Sequence, residues 1–375
     1  MFDVLLSIII SFTITFLAIP AIITVAETKK LFDVPDERKI HQLHIPSLGG
    51  LGIFAGFIMA CLICIHFISA PEFPFFLAAS IVMFFLGLKD DILIISPIKK
   101  FLGQVIAAFL IIAKGGVQIK SMHGFLGVYE LPDMFGLLLT YFTVLVIINS
   151  FNLIDGIDGL AGSLGIMAAT IFGIYFLKAD LLPYSIMAFA LAGSLAAFLI
   201  FNVSPARIFM GDTGSMIIGL VNAILVVKFI NVAQSPEIKM PIYSSPAIGF
   251  IVLLIPLLDT LRVFAIRIFH RRSPFSPDRN HIHHLMLDKS MSHNTITLTL
   301  LSVNLACIVL AYIARPLGNT WLLLIAVCCF FAGIAALYYT RRKPRLFIAK
   351  SIRELHLSET KILPLKQEKI LERKN

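Results

Sequence analysis

Apolar runs long enough to cross a bilayer recur along the whole chain. A helix needs about 20 mostly apolar residues to span the hydrocarbon layer. Windows of that length place runs near 4–26, 48–69, 75–89, 101–115, 134–151, 161–178, 184–203, 215–232, 246–267, 295–315 and 320–340. The runs at 75–89 and 101–115 are the shortest. In lipid each segment must satisfy its own backbone polar groups, so helices are expected throughout. Composition agrees. Hydrophobic residues make up 58% and charged residues 14%, and mean hydropathy is +0.92. A soluble domain has about 45–50% apolar and about 25% charged residues. The predicted fold is an all-α, polytopic membrane protein of about eleven transmembrane helices, and disorder, a disulfide scaffold and a cytosolic Rossmann enzyme are excluded.

The first run lacks a basic leading region and a small-residue cleavage site, which predicts a retained helix rather than a signal peptide. All five cysteines fall in apolar runs. Cys61 and Cys64 form a CxxC at helical spacing among Ile, Leu and Met, the setting of core or lipid-facing residues rather than of a redox or metal site. Gly52 and Gly56 make a GxxxG that predicts close helix packing.

Basic residues choose the orientation. Alternating the connections between two sides puts 25 of the 31 Lys and Arg on one of them. By the positive-inside rule that side is cytoplasmic, with the N-terminus outside and the C-terminus inside. Residues 1–340 then form the transmembrane domain and 341–375 a basic cytoplasmic tail suited to anionic lipid.

Nearly all the unusual polar residues fall on that cytoplasmic side: Asp90 and Asp91 in LKDD, Asn149, Asn152, Asp155 and Asp158 in INSFNLIDGIDGL, Asp212 in FMGDTGS, and Asp278, Arg279, His281, His283 and His284 in SPDRNHIHH. Ionisable residues at a membrane mark function by default. Two carboxylates at a helix C-terminus oppose the macrodipole, so a divalent metal or Lys99/Lys100 should offset Asp90 and Asp91. Asp155 and Asp158, spaced i, i+3 and each followed by Gly, share a face that backbone can bring close to a ligand, unless they are two plain turns. Asp212 lies between glycines, where exposed backbone N–H groups suit phosphate oxygens. The HxHH run could ligate zinc, but with no cysteine in its loop and Arg271, Arg272 and Arg279 beside it, it suits anionic phosphate better. His41 and His44 read as part of the same basic rim, while Lys289 to His293 carry no signal of function.

Carboxylate and amide oxygens suit Mg²⁺ or Mn²⁺, which bind through a carboxylate or two plus substrate phosphates. Arg, Lys and His neutralise phosphate charge, and an apolar helical body receives a lipid. Phosphoryl transfer between a soluble nucleotide compound and a lipid phosphate is the chemistry this set predicts. No GxxxxGK[ST] pattern is present, which disfavours an ATP-driven pump.

In PSLGG (46–50), LKDD (88–91), NLIDGIDGLAG (152–162), FMGDTGS (209–215) and NHIHH (280–284), the chain resembles the polyprenyl-phosphate N-acetylhexosamine-1-phosphate transferases, the glycosyltransferase family 4 membrane enzymes. The resemblance runs over roughly residues 1–290 and implies the same eleven-helix topology. It implies that Asp212 binds Mg²⁺ with Asn152 in the metal shell. Asp90 and Asp91 would handle the lipid phosphate, Asp90 as its base. Asp155 and Asp158 would line the nucleotide pocket, and Arg279, His281, His283 and His284 would hold diphosphate and sugar. The implied reaction is attack by undecaprenyl phosphate on the sugar-bearing phosphate of a UDP-N-acetylhexosamine, UDP-N-acetylglucosamine first, with loss of UMP. That is the opening membrane step of cell-envelope polysaccharides such as O-antigen. The implied setting is the bacterial inner membrane, with lipid and a second copy of the chain as expected partners and no nucleic acid.

Two rivals remain at this level. The phospho-N-acetylmuramoyl-pentapeptide branch carries three successive histidines and ten spans, where this chain has His-Ile-His-His, an eleventh run and a basic tail. A secondary transporter would need ionisable residues at the midplane. Asp259 is the best candidate, but Arg262 one turn away makes a local ion pair the simpler account.

Overall fold

The computed structural model describes residues 1–30, 45–93, 95–235, 237–273 and 280–340. Its helices are α1 (Phe2–Lys29), α2 (Gly49–Cys64), α3 (Phe73–Ile92), α4 (Pro97–Phe109), α5 (Asp133–Ile154), α6 (Leu160–Lys178), α7 (Leu182–Asn202), α8 (Gly211–Val232), α9 (Ser245–Val252), α10 (Leu254–Phe269), α11 (Ile282–Leu287), α12 (His293–Ile313) and α13 (Asn319–Tyr339). Eight of these, α1, α3, α5 to α8, α12 and α13, are long and apolar enough to cross a membrane. Counting α9 and α10 as one bent span makes nine.

Each of the eleven apolar runs is helical, but three do not make a single long helix. The run at 48–69 stops at Cys64, where Ile65 turns extended. The run at 101–115 starts early, at Pro97, whose fixed φ suits a first helical position, and closes in a π turn over Leu110–Lys114. The run at 246–267 breaks into α9 and α10 with an 80° bend. Pro256 has no N–H to offer the Val252 carbonyl four residues back. Asn304 of α12 supplies the missing partners: its Nδ2 donates to Val252 O at 3.0 Å, and its Oδ1 accepts from Ile255 N at 3.2 Å. A broken helix inside an apolar bundle persists only when its freed groups are paired in this way. The all-α expectation needs one amendment, a two-stranded antiparallel hairpin of β1 (Ser121–Phe125) and β2 (Val128–Glu130).

At the centre stands α8, packed against α2, α3, α5, α6, α7 and α9. Its most apolar stretch is 83% buried, against 22% for α1 and for α13 at the periphery. Gly52 and Gly56 meet α1 closely, with Thr15 Oγ1 donating to Gly52 O at 3.0 Å, which is the packing role expected of the GxxxG. Cys61 and Cys64 are buried core residues. The bundle has two polar ends. At one, Tyr184 donates to Glu72 at 2.8 Å and Lys228 lies 4.5 Å over its ring. The other gathers the last turns of α3 and α5 with the first turns of α4 and α8.

Candidate active site

At that second end, Asp90 and Asp91 close α3, Lys100 opens α4, Asn152 lies in the last turn of α5 and Asp212 in the first turn of α8. Lys100 is the hub. Its ammonium is 3.1 Å from Asp90 Oδ2, 3.3 Å from Asn152 Oδ1 and in direct contact with Asp212 Oδ2. A lysine in the first turn of a helix opposes the macrodipole, so it needs such anionic partners. Asn152 Nδ2 donates to Asp212 Oδ1 at 2.6 Å and to Ser215 Oγ at 3.0 Å, which orients the amide oxygen toward the cation.

Asp91 faces differently. Its Oδ1 accepts from the Asp212 amide at 2.6 Å, and its Oδ2 accepts from the Thr213 amide and hydroxyl at 3.0 and 2.5 Å. It therefore caps the N-terminus of α8 from a neighbouring helix. The amides of Asp212 and Thr213, expected from sequence to face phosphate, are already taken by this carboxylate. Gly211 makes the approach possible: its φ is +74°, and a Cβ there would lie 2.7 Å from Asp91 Oδ1. The PSLGG segment braces the same turn, with Gly49 and Gly50 amides donating to Phe209 and Met210 carbonyls at 2.9 and 2.8 Å.

A cavity of about 210 Å³ opens beside Lys100, lined by Asp90, Asn149, Asn152, Gln104 and the apolar Ile95, Pro97, Phe101 and Leu153. Gln104 and Asn149 pair through their amides at 2.9 Å. Pro97 and Phe101 also line an adjoining, mostly apolar cavity of about 370 Å³ with Ser96, Ile98 and Ser273. A chamber of mixed polar and apolar lining thus shares a wall with a mostly apolar one.

Asp155 follows α5 directly, and Asp158 precedes Gly159, the residue before α6. Burial pushes the Asp155 carboxyl up to about 8, with the carboxylates of Asp212, Asp91 and Asp158 adding to it. Asp158 Oδ2 lies 3.2 Å from Nδ1 of His293, a residue that sequence reading passed over.

The histidine run forms α11 and its cap. His281 Nδ1 meets Asp259 Oδ2 at 2.8 Å, and Asp259 Oδ1 accepts from Arg262 at 2.7 Å and from the Ile282 amide at 3.0 Å. The Asp259–Arg262 pair expected from the i, i+3 spacing is present, and it anchors the histidine helix to α10. His281 is spent on this anchor. His283 is buried, its pKa lowered to about 3 by burial and then by His284, so it is a neutral imidazole. Its ring sits against Gly156, where a Cβ would come within 2.3 Å of Nε2, and this contact joins the histidine helix to the acidic loop. His284, 4.3 Å from His283 by ring centres, is more open to solvent. Arg279, Asp278, His41 and His44 lie outside the described residues.

Two carboxylates and an amide oxygen converging on one cation are hard oxygen donors, the set a small divalent ion takes with substrate phosphates completing its shell. Among the described residues no three His, Cys, Asp or Glu side chains form a complete metal shell of their own.

The model of glycosyl transferase family 4 matches residues 73–230, from α3 to the end of α8. The undecaprenyl-phosphate alpha-N-acetylglucosaminyl 1-phosphate transferase of Escherichia coli K12 is 31% identical over 315 residues, covering 82% of this chain and 83% of its own. This chain belongs to glycosyl transferase family 4. The Yersinia pestis protein of the same name is 31% identical over 68% of this chain and 69% of its own. The decaprenyl-phosphate N-acetylglucosaminephosphotransferase of Mycobacterium leprae is 32% identical over 76% and 77%. Within the family stretch lie Asp90, Asp91, Asn152, Asp155, Asp158, Asp212 and Lys100, while the histidine helix and His293 fall beyond it.

Proposed function

We propose that this family 4 protein transfers N-acetylglucosamine 1-phosphate from UDP-N-acetylglucosamine to undecaprenyl phosphate, releasing UMP, as the first membrane step of a cell-envelope polysaccharide. The observation that carries this reading is the Lys100-centred nest of Asp90, Asn152 and Asp212, beside a cavity of mixed lining that adjoins a mostly apolar one. The names of the relatives support the same donor and acceptor classes. A phosphate oxygen of the lipid attacks the sugar-bearing phosphorus, and the bond from that phosphorus to the UMP oxygen breaks.

Lys100 neutralises the phosphate oxygens that enter the cavity, and Asp90 takes the lipid phosphate's proton on Oδ2. Asp212 and Asn152 would hold Mg²⁺, or Mn²⁺, which supplies positive charge to the phosphates and to the departing UMP. Asp155 and Asp158 would line the nucleotide pocket, and the raised pKa of Asp155 lessens its repulsion of an anionic nucleotide. Asp91 and His281 act by positioning, the first on α8 and the second on α11. His284 and Arg279 remain for diphosphate and sugar. The 25 basic residues on one side support an active site on the cytoplasmic face of the inner membrane, with eleven crossings, the N-terminus outside and the C-terminus inside.

The test is UMP release by purified protein with undecaprenyl phosphate and Mg²⁺, comparing UDP-N-acetylglucosamine, UDP-N-acetylgalactosamine and UDP-N-acetylmuramoyl-pentapeptide. Turnover with UDP-N-acetylglucosamine that EDTA abolishes supports the reading. Turnover with the pentapeptide donor alone would move the protein to the peptidoglycan branch, and no product with any donor would refute a transferase.

A further inference from the structure

The acidic loop between α5 and α6 is held from outside the family stretch. Asp158 meets the first turn of α12 twice: its Oδ2 lies 3.2 Å from His293 Nδ1, and its carbonyl accepts from Thr297 Oγ1 at 3.2 Å. His293 and Thr297 are four residues apart, so they share one helix face. Ser292 sets where that turn begins, its Oγ accepting the Thr295 amide at 3.3 Å. On the far side, the next amide, Gly159 N, donates to Asn202 Oδ1 of α7 at 2.8 Å. Asp158 is thus held at its carbonyl and at the following peptide, with His293 beside its side chain. The side chains of His293 and Asp158 are 25% and 11% exposed, so the pair is enclosed yet reachable.

We propose that His293 is a positioning residue for donor binding. Its ring stands 3.2 Å from one oxygen of Asp158 and sets that carboxylate toward a ring N–H or ribose hydroxyl of the donor's nucleoside. This rests on the transferase reading above. It makes α12 part of the site, although the match to the family model ends at residue 230 and only the likeness to whole relatives reaches α12.

Full-length protein carrying His293→Ala, His293→Asn, Asp158→Asn or His293→Ala with Asp158→Asn tests it. The readouts are KM for each substrate, kcat, UMP affinity by titration calorimetry and the unfolding midpoint in detergent. His293→Ala should raise the donor KM and the UMP Kd by about tenfold while the lipid KM stays within about twofold. His293→Asn, which keeps an N–H near the Nδ1 position, should recover most of the loss. The double variant should be no worse than Asp158→Asn alone, because the contact is already broken. An unchanged donor KM in His293→Ala overturns the proposal, as does additivity in the double variant. A joint fall in both affinities and in the unfolding midpoint, without rescue by His293→Asn, also overturns it by showing a merely structural role. A wild type that neither transfers nor binds UMP removes the transferase reading and this inference with it, whereas an active wild type matched by His293→Ala removes this inference alone.

Discussion

Asp212 has the most to lose from a change of one atom. Its carboxylate takes Lys100 on one oxygen and Asn152 on the other. Asp212→Asn keeps the size and removes the charge, so kcat should fall by at least about 100-fold, in the range seen when one preorganised electrostatic contact is lost. The unfolding midpoint should hold, and a variant with near-normal turnover would refute a metal role. Asp155 makes a prediction about pH. Its folded pKa of about 8 stands above the ordinary 3.8, so the folded chain keeps a proton that the unfolded chain releases between those values. Asp155 therefore lowers stability progressively as pH rises from about 4 to about 8. Asp155→Asn cannot ionise, so its unfolding midpoint should gain on the wild type as pH increases over that window. Parallel profiles would show that Asp155 is not held protonated.

At the scale of elements, the site depends on helix ends set by side chains from other helices. The end of α8 is capped by Asp91 of α3, and α11 is anchored by Asp259 of α10. The break between α9 and α10 is completed by Asn304 of α12, which is fully buried. Asn304→Leu keeps the branched shape but strands the Val252 carbonyl and the Ile255 amide. A stranded buried group costs about 1–3 kcal/mol, so the unfolding midpoint should drop measurably. Turnover should drop with it, because α10 carries Asp259 and through it the histidine helix. A variant that unfolds as the wild type does would mean the break is satisfied without Asn304.

For the whole molecule, the prediction is orientation. With the nest facing the cytoplasm, a cytoplasm-dependent reporter fused after residue 340 should be active, and one that matures only outside should be active at the N-terminus. The reverse pattern would turn the active site outward, away from cytoplasmic UDP-sugars. With the nest facing the cytoplasm, the outer end would carry the hairpin, whose His123 carbonyl accepts from Asn319 of α13 at 2.7 Å.

Membrane residence, the helical content, the polar clusters and the family were legible in the chain because each is written locally: in run length, in charge asymmetry and in short motifs whose carboxylates stand out against apolar surroundings. The Asp259–Arg262 pair was legible by its spacing, whereas the run at 246–267 read as one span and its break at Leu253 did not show. Other features were decided only by packing. Lys99 and Lys100 are equivalent in sequence, and the first turn of α4 selects Lys100 by turning it toward Asp212. Asp90 and Asp91 are adjacent and look alike, yet successive helix residues point about 100° apart. One carboxylate therefore faces the cavity and the other caps α8. His293 carried no local signal, because its meaning lies in Asp158, 135 positions earlier in the chain. A sequence states which residues can do chemistry, but a contact between distant segments exists only once the helices have been stacked, and that stacking assigned each carboxylate and imidazole its partner.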